Sequence, residues 1–166
     1  MIPVPDFVVN FYRVFTVINS RIVKSIIIHL EMSTYADSLL AFKADIEHKG
    51  LIDWLEAHTS FMRPLHRYIG KLVVSQDSVS FSGEDEKMGS RFNLVIPRPS
   101  VTGLHLGFDP VFKRIDDRSL GLFHFVPLRI DFTQNKRDES IYIFANYSRL
   151  LRQSDNQQVY EELGGK

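Results

Sequence analysis

Between Tyr68 and Tyr147 the chain is a succession of short segments in which apolar and polar residues alternate, and a polar stretch with helical spacing follows Ser154. Alternation with a period of two buries one face of a strand and solvates the other, the pattern of antiparallel sheets. Leu72 and Val74 alternate before a turn at Gln76-Asp77, and Val79 and Phe81 alternate after it with Ser78, Ser80 and Ser82. Glu84-Asp85-Glu86 reads as a solvated acidic loop leading to Gly89, and Phe92, Leu94 and Ile96 mark the next strand. Pro97 and Pro99 end it, because proline lacks the ladder donor. Leu104, Leu106 and Phe108 mark another strand, and Leu128, Ile130 and Phe132 one more, before a turn over 134–138 leads into Ile141 through Phe144. Gly103, Gly107 and Gly121 are expected at bulges or bends. Ser154, with Gln157 three residues later, forms a capping-box pair. Val159, Tyr160 and Leu163 share a face of the helix that follows, and Gly164 stops it. The expected class is α+β: a small antiparallel β-fold plugged by a C-terminal helix.

Residues 1–66 read as an N-terminal helical segment and 67–166 as the β-domain. Asn10, Arg13, Ser20, Arg21 and Lys24 fall on one side of a helix whose remaining surface is apolar. Such a helix packs on the β-domain or lies in a membrane interface. Ile26-Ile27-Ile28 also fits a short strand, and Met32-Ser33-Thr34 is an alternative starting point. From Thr34, with Asp37 at capping-box distance, Leu39, Phe42 and Ile46 repeat at helical spacing up to Gly50. Leu51, Trp54, Leu55 and His58 suggest a second short helix before Pro64.

An apolar fraction of 44% with 24% charged residues is that of a globular chain, and 166 residues are enough for one well-cored domain. A formal net charge of zero argues against a nucleic-acid binder. The sequence has no cysteine, which excludes disulfides, thiolate catalysis and cysteine-held zinc. The stretch from Phe7 to Leu30 carries too many polar residues for a spanning helix, and no secretory signal is legible.

His58, His66, His105 and His124 have no metal-ligand spacing, and His105 is expected on an exposed strand face. Glu84-Asp85-Glu86 lacks the ligand pattern of a calcium loop. Asp116-Asp117, flanked by Arg114 and Arg118, reads as surface ion pairs. No nucleophile elbow or phosphate-binding glycine loop is present. The clearest functional hint is basic: Lys71, Lys87 and Arg91 around the first hairpin, and Lys113, Arg114 and Arg118 in one long loop.

The hairpin from Gly70-Lys71-Leu72 through Val79-Ser80-Phe81, followed by the strand ladder and closing helix, resembles the pleckstrin-homology-like superfamily, in particular its GRAM-type and bacterial members. The likeness covers residues 67–164. The chain differs in carrying Tyr160 and no tryptophan in the closing helix, and in spacing Lys87 and Arg91 four apart beside an acidic loop. The resemblance implies a PH-like bent sandwich. It implies a non-enzymatic, cofactor-free binding or adaptor domain, cytoplasmic or peripheral to a membrane. Its target would be a protein partner or an anionic lipid head group, with the six basic residues at the binding rim. Two other classes remain open: a small-ligand barrel or enzyme with an internal pocket lined by His105, His124, Arg129 and Asp131, and a structural protein that self-associates through residues 1–31.

Overall fold

The computed structural model describes residues 32–48, 64–112, 126–151 and 153–165. They form seven strands: β1 (Ser33–Phe42), β2 (Tyr68–Val74), β3 (Ser78–Asp85), β4 (Ser90–Pro97), β5 (Val101–Leu106), β6 (Leu128–Gln134) and β7 (Arg137–Phe144). A short helix α1 (Lys43–Glu47) follows β1, a 3-10 turn (Arg98–Ser100) joins β4 to β5, and helix α2 (Asn156–Glu162) closes the described chain. All pairings are antiparallel, in the order β4-β3-β2-β1-β7-β6-β5.

That order forces the sheet to curl. β4 and β5 are its two edges, yet only Arg98, Pro99 and Ser100 separate them. A flat sheet of this many strands would set its edges about 29 Å apart at normal strand spacing, whereas four extended residue steps reach only about 14 Å. The sheet therefore folds over itself, and its two halves enclose the core.

The bend has a residue-level cause. Ser38 of β1 lies opposite Gly70 of β2, which lies opposite Gly83 of β3. A Cβ on Gly70 would stand 2.2 Å from the Ser82 carbonyl oxygen, and one on Gly83 2.1 Å from that of Ile69. Only bare backbones cross so closely. β1 bulges next to this line, between Tyr35 and Ser38. There the buried Ser38 hydroxyl donates to the Tyr35 carbonyl and accepts the Asn146 N–H.

Inside the curl lie Leu40, Leu72, Val79, Phe81, Ile96, Leu128, Ile130, Phe132, Ile141 and Ile143. Three rings fill the end where β1 finishes: Tyr68 stacks on Phe92 at 3.8 Å and Phe42 meets both edge-on. From the other end α2 inserts the fully buried Val159, with Tyr160 and Leu163 beside it. A second cluster covers the outer face of the central strands: Leu39, Ala41, Ile46, Leu65, Phe112, Tyr142, Phe144 and Tyr147.

The alternating strands over 72–81, 92–96, 104–106, 128–132 and 141–144 form where the sequence places them. The helix expected from Thr34 does not: β1 runs to Phe42, and only Lys43–Glu47 is helical. β1 is the seam between β2 and β7 and is covered on both faces around Leu39–Ala41, so its apolar residues run together and mimic helical spacing. The sheet thus begins at Ser33, not Arg67, and the hairpin 70–81 joins its second and third strands. The predicted helices over 1–31 and 51–58 lie outside the described residues. α2 starts at Asn156 with Asp155 at its N-cap, in place of Ser154. Gly164 (φ +91°) follows the helix as expected, and the sheet bulges beside Gly103.

Candidate binding surface

Of the six predicted basic residues, Lys71, Lys87 and Arg91 are described and all are exposed. Lys113, Arg114 and Arg118 lie outside the described residues, as do His58, Asp116, Asp117, Gly121 and His124. Lys71 and Arg91 share the outer face of β2–β4, opposite Ser82 and Glu84 respectively, and Lys87 sits in the adjoining turn. Ile69, Gly83, Glu84, Gly89 and Arg91 line a shallow groove there. Glu84 faces Arg91 across the ladder, so the groove carries both signs of charge. At the β6–β7 turn sequence reading missed Lys136 and Arg137, both exposed. Their signal was the turn read over 134–138, in which Asn135 and Lys136 take positive φ (51° and 63°) and leave their side chains to solvent.

The acidic stretch is not a solvated loop. Glu84 and Asp85 end β3, and Asp85 is only 5% exposed. Arg67 donates to Asp85 Oδ2 through Nε (2.9 Å) and Nη2 (2.7 Å), and to Asp45 Oδ1 through Nη1 (2.7 Å). Asp85 Oδ1 accepts the Lys87 and Met88 N–H groups and shapes the turn. The Arg67 guanidinium holds the Asp85 carboxyl below the usual carboxylate range, with those two N–H groups helping and burial opposing. His66 sits beside this staple, its Nε2 2.8 Å from Glu86 Oε2 and its Nδ1 2.7 Å from the Pro64 carbonyl oxygen.

Arg129 and Asp131 also belong to an interlocked set. Asp109 Oδ1 accepts the N–H groups of Val111 (2.9 Å) and Phe112 (2.7 Å). Its Oδ2 accepts Arg129 Nη1 and the Tyr142 hydroxyl (2.8 Å). Arg129 Nε reaches Asp131, which also accepts the Ser140 hydroxyl. Burial pushes Asp109 up, but the Phe112 N–H, the Tyr142 hydroxyl and Arg129 hold it below its ordinary value overall. These groups satisfy one another and lock the 109–112 segment onto β6 and β7. His105 is half-buried, not exposed as expected, with Nε2 3.4 Å from the Phe108 carbonyl. No cluster of metal-ligating side chains occurs among the described residues.

Of the sheet's two edges, β4 and β5, the β5 edge combines recognition chemistry with a neighbouring helix. Among the described residues β5 pairs only with β6, so its other side presents backbone donors and acceptors. α2 packs beside it. Val101, Leu104 and Leu106 on β5 and Tyr160 and Leu163 on α2 are only partly buried where they pack against the core. α2 is fixed in place by side chains sequence reading passed over. Asn156, 2% exposed, donates to the Val126 (2.6 Å) and Ile143 (2.7 Å) carbonyls and accepts the Ala145 N–H (2.8 Å). At the other end Glu162 Oε1 accepts the hydroxyls of Ser33 (2.8 Å) and Tyr35 (2.9 Å), and its carbonyl accepts Arg98 Nη2 (2.9 Å).

No protein-family model matches the chain, and no curated protein is similar to it at a significant level. No helix among the described residues is long and apolar enough to cross a membrane.

Proposed function

We propose that the chain is a non-enzymatic binding module of the PH-like type that takes an extended segment of a protein partner along β5, beside α2. The observation that carries this reading is the β5 edge, with one ladder side unpaired among the described residues and the partly buried apolar residues of β5 and α2 beside it. An added strand would gain main-chain hydrogen bonds from the edge and place alternate side chains on Leu104, Leu106, Tyr160 and Leu163. The order β4-β3-β2-β1-β7-β6-β5 with a closing helix supports the PH-like part of the reading. The filling of both ends of the curl, by Phe42, Tyr68 and Phe92 and by α2, favours a surface ligand over an enclosed one. The spread of Lys71, Lys87 and Arg91, with Glu84 among them, favours a peptide over a clustered phosphate head group.

The test is selection from a displayed random-peptide library, followed by amide hydrogen exchange with and without a selected peptide. New protection is expected in the amides of β5 and in those of α2 beside it. Protection confined to the outer face of β2–β4 would move the site to the Ile69–Arg91 groove and sink the edge reading.

A further inference from the structure

Between β7 and α2 the chain makes a hairpin tip that none of the strand chemistry requires. Ser148 N–H donates to the Gln153 carbonyl at 3.0 Å, the two residues forming an isolated antiparallel bridge, and the Leu151 N–H reaches Ser148 Oγ at 3.3 Å. The base is pinned on both sides: the Tyr147 N–H donates to the Asp37 carbonyl, and the Asp155 N–H to the Ala145 carbonyl. On this tip Leu150 is 91% and Leu151 60% exposed, and Arg149 beside them is exposed as well. A single exposed leucine needs no explanation. Two adjacent leucines, held outward on a bridged tip and set beside a cation, are a different case.

We infer that the Leu150–Leu151 tip is a membrane-contact site, inserting both leucines at the acyl boundary of an anionic bilayer while Arg149 meets the lipid phosphates. Charge complementarity selects this occupant: aliphatic side chains beside the exposed Arg149 match the layering of acyl chain and anionic head group at a lipid surface. The site is separate from the β5 edge and does not depend on a peptide binding there.

The absence of cysteine makes a direct test possible in the full chain. Leu150→Cys carries an environment-sensitive fluorophore, with Ser80→Cys on the outer face of β3 as control. Each is titrated with phosphatidylcholine vesicles with and without phosphatidylserine. The expected result is a blue shift and intensity gain at position 150 with the anionic vesicles alone, and none at position 80. In co-sedimentation with those vesicles, Leu150→Ser with Leu151→Ser should weaken partitioning by about tenfold or more, and Arg149→Glu should weaken it too. All these variants should melt as the parent does, since the tip lies outside both clusters. An unshifted fluorophore at position 150 in the anionic vesicles overturns the inference. So does a pair of serines that leaves partitioning unchanged, or one that abolishes self-association in light scattering without altering vesicle binding.

Discussion

Asn156 shows how much one side chain decides. Its amide group meets three backbone groups from the segment leading into β6, the end of β7 and the residue after it, so the position of α2 is encoded in one residue. Asn156→Ala would strand those groups in a buried site at about 1–3 kcal/mol for an unsatisfied group. A total loss of about 2–4 kcal/mol is expected in urea unfolding, allowing for partial relaxation. A loss under about 1 kcal/mol would mean that water replaces the amide. The buried carboxylates set the response to acid. Asp85 and Asp109 both sit below the ordinary carboxylate range when folded, so their contribution is complete above the unfolded value of about 4 and is lost as pH falls through the lower folded values. The melting temperature should hold from neutrality to about pH 5 and fall below about pH 4, and Asp109→Asn should flatten that fall. An equally steep fall in the variant would remove Asp109 from the account.

At the scale of elements, the bend line of Ser38, Gly70 and Gly83 can be compared with the turn glycine Gly89. Gly70→Ala and Gly83→Ala force a methyl group into carbonyl oxygens and should each cost on the order of 3 kcal/mol. Gly89→Ala meets only the Glu84 carboxylate at an ordinary 4.0 Å and bears the strain of φ +62°, about 1 kcal/mol. Matched unfolding curves would decide this, and equal losses would show that the sheet flattens to relieve the clash. Edge and hairpin strands were legible in the sequence because one face of each meets solvent, leaving a clean alternation such as Val79, Phe81 against Ser80, Ser82. β1 was not, because Leu39–Ala41 is buried on both faces and a bulge at 36–37 breaks the period. Of the candidate surface, the apolar rows of β5 and α2 were readable. The edge itself was not, since being last in the sheet order depends on pairings between distant residues. Asp85 was misread for a similar reason: its partner Arg67 is eighteen residues away in sequence, and local charge density gave no sign of it.

For the whole molecule, β1 has to pair with both β2 and β7, so the sheet cannot close until residues near positions 40 and 143 meet. Such long-range pairing makes for slow folding. The same arrangement brings the beginning of β1 to the end of α2: the Ser33 hydroxyl donates to the Glu162 carboxylate, and Tyr35 does so one step further in. A permuted chain with a short glycine-serine link from Gly165 to Met32, and new ends between Asn135 and Lys136, should therefore fold with the same slow-exchanging amides in β1 and β7. Failure of that permutant to fold would show that the β6–β7 turn starts the assembly. The contact between Ser33 and Glu162 has a wider meaning: the fold leaves by the door through which it enters. A unit built this way can be spliced into a surface turn of a host protein without prising the host apart, because its two ends already lie side by side.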